Sequence, residues 1–120
     1  MKVIIAGAAG RMGRELLKYA HQNADIDIIG ASEESSSDWV GKDIGEVIGE
    51  ANMNIKIVSD ILELIKSADV IIDFTNPETT LANAVLAAQA RISHIIGTTG
   101  FQNKEIESLK KAGNHAVLVQ

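Results

Sequence analysis

The sequence predicts an α/β fold with a doubly wound parallel sheet, and three observations carry that prediction. Six short apolar runs recur along 120 residues. Stretches with helical spacing separate most of them. The first run, Val3-Ile4-Ile5-Ala6, leads into Gly7-Ala8-Ala9-Gly10-Arg11-Met12-Gly13 and then into Arg14-Glu15-Leu16-Leu17-Lys18-Tyr19-Ala20. Strands alternating with helices imply parallel pairing and right-handed crossovers. A glycine turn after the first of six strands matches a Rossmann-type dinucleotide-binding domain with strand order 3-2-1-4-5-6.

Strands are expected over 2–6, 26–30, 55–58, 69–73, 93–97 and 115–119. Most are near-continuous apolar runs, as strands covered on both faces should be. Helices are expected over 11–22, 60–67, 77–90 and 102–112. The length fits one domain, residues 1–120, with a real core. Aromatics make up only 3%, so that core must come from Ile, Val, Leu and Ala.

The charge balance is acidic, with 11 basic and 16 acidic residues and no basic stripe, which argues against nucleic acid as a partner. There is no cysteine, hence no disulfide framework and no thiolate chemistry. Met1-Lys2 leads straight into a strand, so no secretory signal is expected ahead of the fold. The apolar runs are too short to span a bilayer. A cytoplasmic location is the expectation, and no metal site is expected.

The first turn carries the chemistry. Gly7 permits a tight turn off the strand, because it has no Cβ to forbid positive φ. Gly10 lets the backbone approach a pyrophosphate, and Gly13 lets the helix pack down on the strand. Free amides of the first helical turn, with the helix dipole, face the phosphates. The spacing Gly-x-x-Gly-x-x-Gly departs from the standard Gly-x-Gly-x-x-Gly, and a glycine-rich turn also serves plain packing.

In the first helix Leu16, Leu17 and Ala20 form the buried stripe. His21, near its end, reads as a surface histidine. The second strand ends in Ala31-Ser32-Glu33-Glu34. Glu33 stands where a Rossmann acid accepts hydrogen bonds from the adenosine ribose, the alternative being a solvated loop carboxylate. Glu34 is expected to be solvated. Residues 35–54 read as a long polar loop, and a loop of that length is usually functional or mobile. Trp39, the one tryptophan, either anchors this loop against the sheet or lies near the adenine, and anchoring is the expectation.

Ser59 is expected to cap the helix that carries Ile61, Leu62 and Ile65. Asp73-Phe74-Thr75 falls at the carboxyl end of the next strand, at the ligand crevice of an open sheet. Asp73 reads as a structural acid that bonds nearby backbone amides. Asn76 as N-cap and Pro77 at the first helical position start an alanine-rich helix that sits close to the sheet. His94, in an apolar strand, reads as a packed core residue. Gly97-Thr98-Thr99-Gly100-Phe101 is a second glycine-flanked turn on the same edge, suited to polar ligand atoms or to plain capping.

The combination Gly7-Ala8-Ala9-Gly10-Arg11-Met12-Gly13, Asp73-Phe74-Thr75-x-Pro77-Glu78 and Gly97-Thr98-Thr99-Gly100-Phe101 resembles dihydrodipicolinate reductase. It covers almost all of this chain but only the family's N-terminal, nucleotide-binding half. The resemblance implies a reductase of the diaminopimelate route to lysine, passing hydride from NADH or NADPH to a cyclic dicarboxylate. By that likeness Gly7, Ala8, Ala9, Gly10, Arg11 and Met12 hold the pyrophosphate, and Glu33 holds the ribose. Phe74 and Thr75 line the crevice, Gly97, Thr98 and Thr99 lie at the nicotinamide, and Thr99 also touches a substrate carboxylate.

The family's His-His and Lys signature belongs to its C-terminal domain, as does most of its homotetramer. No two of the three histidines here are adjacent, so no catalytic residue is expected in this chain. We read it as the first half of a longer enzyme, ending beside a domain hinge and inactive by itself. Where the family often has a basic residue for the 2′-phosphate of NADPH, this chain has Glu34, which implies a preference for NADH. Arg11 and Lys42 offer partial compensation. The competing reading is a non-catalytic nucleotide-sensing Rossmann module. It would share the glycine loop and Glu33 but has no need of a polar loop at the nicotinamide.

Overall fold

The computed structural model describes residues 1–97 and the backbone of 115–117. The elements are β1 (Lys2–Ala6), α1 (Arg11–His21), β2 (Asp27–Ser32), α2 (Ile44–Val47), a 3-10 helix (Ile65–Ser67), β3 (Val70–Asp73), α3 (Pro77–Ala90), β4 (Ser93–Ile96) and β5 (His115–Val117). The helix expected over 102–112 lies outside the described residues, as do Thr98 and Thr99.

All strands pair in parallel, in the order β2-β1-β3-β4-β5. Register explains where the site forms. Ala6 stands opposite both Ser32 and Asp73, and Asp73 stands opposite Ile96. The carboxyl ends of four strands are therefore level, and the segments that leave them start from one edge.

Strand periodicity sends alternate β1 side chains to opposite faces. Val3 and Ile5 pack with Leu17 and Ala20 of α1, and with Ile28, Ile44 and Ile57. Ile4 and Ala6 pack with Ile61, Ile65 and Ile71, and with Ala87 of α3. Both faces are covered by helices, so the sheet is doubly wound.

Three expectations are corrected. Residues 55–58 form no strand. They make one parallel bridge, Ser32 to Val58, and one antiparallel bridge, Asp43 to Lys56. Val58 N–H donates to Ala31 O and Ile57 N–H to Lys42 O, so the segment is divided between β2 and the chain at 41–44. It still holds the place beside β2 that the third strand takes in the expected order. Residues 60–67 form a turn and the 3-10 helix rather than an α-helix. The side chain serving that turn is Asp60, whose Oδ1 accepts from Leu62 N at 2.9 Å, in place of the expected Ser59.

The stretch 35–54 is also more ordered than a polar loop. Asp43 is buried and caps α2, accepting from Gly45 N, Met53 N and Ile55 N, each at 2.8 Å. Burial raises its carboxyl pKa, and these backbone bonds more than reverse that, holding it below the ordinary 3.8.

α3 starts as expected, with the Asn76 side chain accepting from Thr79 N at 2.9 Å and Pro77 in the first turn. It ends at Arg91 in the left-handed region, φ 58°.

Candidate functional site

A cleft of about 890 Å³ opens on the level edge of the sheet. Its walls come from the segments after β1, β2 and β3, from residues 59–61, and from α3. That volume is on the scale of sites that take cofactors, roughly 300–1,000 Å³.

The three glycines of the first turn do different work. Gly7 has φ +80°, and a Cβ there would meet Phe74 O at 2.5 Å. A Cβ on Gly13 would run into Gly7 O and the Ala8 backbone. Both are required by packing. Gly10 is in extended backbone, φ −72° and ψ 171°, and a Cβ there would meet only Gly7 O, at 3.4 Å. The fold has room for a side chain at position 10, and the residue lines the cleft.

The amides of this turn are mostly committed. Gly7 N and Ala8 N donate to Ser32 O at 3.0 and 3.1 Å, and Gly10 N donates to Gly7 O at 3.2 Å. Ala9 N donates to Glu33 Oε2 at 2.8 Å. The amides of Arg11, Met12 and Gly13, in the first turn of α1, have no acceptor within the helix. Ala8 is fully buried in the core and does not line the cleft. Gly7, Ala9 and Gly10 line the cleft, while Arg11 and Met12 are exposed at the start of α1.

Glu33 lines the cleft, half-buried, with one carboxylate oxygen on the Ala9 amide. The carbonyl of Ala9 accepts from Arg14 Nε at 2.8 Å, so that residue is held from both sides. Arg14 and Lys42 each stand 5.2 Å from the Trp39 ring centroid. Trp39 packs against the core, as the anchoring expectation has it, and also lines the cleft. Glu34 is exposed but not merely solvated, because its Oε1 accepts from Asn76 Nδ2 at 3.0 Å across the cleft rim.

Phe74 and Thr75 line the cleft. Gly97 N donates to Asp73 O at 2.8 Å, and the Phe74 ring fills the space a Gly97 Cβ would take. Beneath them Asp73 is fully buried. Its Oδ1 accepts from Thr75 N at 3.1 Å, Thr75 Oγ1 at 2.6 Å and Thr80 Oγ1 at 3.1 Å. Its Oδ2 accepts from Asn83 Nδ2 at 3.0 Å and bonds His94 Nε2 at 2.9 Å. Burial raises the Asp73 pKa; the bonds from His94, Thr75 and Asn83 outweigh it and hold the carboxyl below 3.8.

Asp73 is buried as a structural acid, but it takes one backbone amide, Thr75 N, and otherwise side-chain donors, rather than the nearby amides expected; His94 is the buried strand residue expected. Their pairing was not foreseen. Sequence reasoning also missed the apolar wall made by Ile61, Ala82 and Leu86, and the polar residues Ser59 and Asn83 near it. These come from separate segments with no shared motif. Among the described residues no group of three or more His, Cys, Asp or Glu is placed to hold a metal, and no helix is long and apolar enough to cross a membrane.

The family model described as "Dihydrodipicolinate reductase, N-terminus" matches residues 1–120. The 4-hydroxy-tetrahydrodipicolinate reductase of Parvibaculum lavamentivorans is 44% identical over 121 residues, covering 100% of this chain and 45% of that protein. That of Ruegeria pomeroyi is 42% identical over 118 residues, 98% of this chain and 44% of its own length. The chain therefore spans a little under half the length of these relatives. A dipicolinate-bound dihydrodipicolinate reductase from Paenisporosarcina sp. TG-14 superposes with a TM-score of 0.69 at 24% identity, over 93% of this chain and 42% of that one, a likeness of fold. A level sheet edge, a glycine turn pinned to the acid just after the next strand, and a family match along the whole chain agree: the chain belongs to the dihydrodipicolinate reductase family, as its N-terminal, Rossmann-like domain.

Proposed function

We propose that this chain is the dinucleotide-binding half of an NAD(P)H-dependent 4-hydroxy-tetrahydrodipicolinate reductase of the diaminopimelate route to lysine. The observation that carries the cofactor assignment is Gly10, a cleft-lining glycine whose missing side chain the fold itself does not require. The names of the curated relatives support the reaction class, and the dipicolinate bound to the structural neighbour supports a cyclic dicarboxylate as substrate.

In this reading the amides of Arg11 and Met12 receive the pyrophosphate, with Gly7, Ala9 and Gly10 leaving it room. Glu33 receives the ribose hydroxyls, and Ile61, Ala82 and Leu86 offer an apolar wall to the adenine. Phe74 and Thr75, followed by Gly97, Thr98 and Thr99, form the nicotinamide end, with Thr99 also reaching a substrate carboxylate. The bound dinucleotide supplies the hydride. The group that protonates substrate, and the contacts of a homotetramer, belong to a further domain, so the 120 residues alone are inactive. The setting of such a biosynthetic enzyme is the cytoplasm. Glu34 lies beside Glu33 and is held at the rim by Asn76, which favours NADH over NADPH. The sensing-module alternative has no counterpart among the relatives named above.

Titration calorimetry tests the assignment. Wild-type chain should bind NADH, and Gly10→Val should lose that binding while keeping its fold. A Val variant that binds as tightly as wild type would show that the phosphates lie elsewhere.

A further inference from the structure

Below the cleft floor, one buried carboxylate, Asp73, gathers the side chains of Thr75, Thr80, Asn83 and His94. Asp73 and His94 are both fully buried, and neither lines the cleft. A carboxylate only accepts, so the 2.9 Å bond requires Nε2 of His94 to donate. Nδ1 is then the nitrogen left over, and among the described residues it is the buried side-chain polar atom without a partner. His94 stands in β4 between Ser93 and Ile95, in register with Ile71 of β3 on one side and His115 of β5 on the other. An aliphatic side chain there would bury no orphaned nitrogen. The imidazole is retained at a cost, and the beneficiary is Asp73.

Asp73 in turn grips two side chains that do line the cleft. Its Oδ1 holds Thr75 through both amide and hydroxyl, and its Oδ2 holds Asn83. Oδ2 is shared between Asn83 and His94, so the imidazole sets where that oxygen points. The chain of contact runs from β4 through β3 to the cleft faces of the 74–76 segment and α3.

We propose that His94 is a positioning residue for the cofactor site: through Asp73 it sets Thr75 and Asn83 in the geometry that receives a nicotinamide dinucleotide. This inference rests on the function proposed above.

The test is a set of NADH dissociation constants on the full chain, measured well below the unfolding temperature of each variant. His94→Met removes the donor and should weaken binding about tenfold, the worth of one hydrogen bond. His94→Gln restores an N–H and should recover most of the loss, which a purely space-filling role would not produce. In an Asn83→Ala background, His94→Met should cost markedly less, because both residues act through one oxygen. Wild-type affinity in His94→Met, or an undiminished loss in the double variant, would overturn the proposal. A second readout needs no variant. In ¹⁵N-histidine NMR of the wild-type chain, NADH should shift the His94 ring nitrogens although they lie outside the cleft, and unmoved resonances overturn the proposal even if position 94 tolerates no substitution. If the wild type binds no NADH at all, the dinucleotide assignment fails and this inference with it.

Discussion

Glu33 Oε2 accepts the amide of Ala9 at 2.8 Å. The acid at the end of β2 and the glycine turn at the end of β1 are therefore one unit before any ligand arrives. Glu33→Ala should loosen the turn as well as remove a ribose acceptor. A bond to a charged group is worth about 1.5–3 kcal/mol, so the variant should unfold at lower temperature and bind NADH at least tenfold more weakly. Thermal unfolding and calorimetry on one preparation check both. Glu33→Gln, which keeps an acceptor for Ala9, should separate them by losing affinity with little loss of stability.

The glycine turn should separate folding from binding by position. Gly7→Ala forces a Cβ toward Phe74 O at 2.5 Å in a backbone at φ +80°. It should cost about 1–3 kcal/mol of stability. Gly10→Ala meets nothing closer than 3.4 Å and should cost less, roughly 0.5 kcal/mol for a poorer N-cap. Urea unfolding of the two variants gives the comparison, and equal losses would contradict the assignment of Gly10 to the ligand.

Acid should unfold this domain through Asp73 and Asp43. Both carboxyls sit below the ordinary value of 3.8 in the folded chain. A lowered folded pKa means that the ionised form favours the native state. The stability they contribute is fully present above the unfolded value and is lost as pH falls through the folded values. Unfolding free energy should therefore be flat from these groups above about pH 5 and fall steeply below pH 4. Asp43→Asn should lower stability at pH 7 and flatten that acid limb, as read from denaturant midpoints across pH.

Glu34 should select the dinucleotide. It faces the rim beside Glu33 and is tied to Asn76 at 3.0 Å. Glu34→Arg replaces a repelling carboxylate with a bidentate phosphate partner and should move the NADPH-to-NADH affinity ratio toward NADPH by an order of magnitude, about 1.4 kcal/mol. Because the Asn76 bond is solvent-exposed, the melting temperature should change little. The four dissociation constants at low and moderate salt decide it. Tighter NADPH binding by the wild type, or an unchanged ratio, rules out Glu34.

What the sequence determined by itself was what short segments encode. The apolar run and glycines of 3–13 predict β1, its turn and α1, because each signal lies within a few residues of the next. Asn76-Pro77 predicts the start of α3 for the same reason, and parallel strands joined by crossovers follow from the alternation. The tertiary structure decided everything that depends on distant partners. Residues 55–58 have a strand's composition, but their backbone is claimed by both β2 and 41–44, so pairing outvotes propensity. Asp43 looks like one loop acid among several until Met53 and Ile55, 10 and 12 residues away, bring their amides to it. Asp73 meets His94 across 21 residues, and Glu34 meets Asn76 across 42. Such contacts leave no periodic trace in sequence, because they are set by sheet order and register. That register brings Ala6, Ser32, Asp73 and Ile96 level, and the cleft exists because they are.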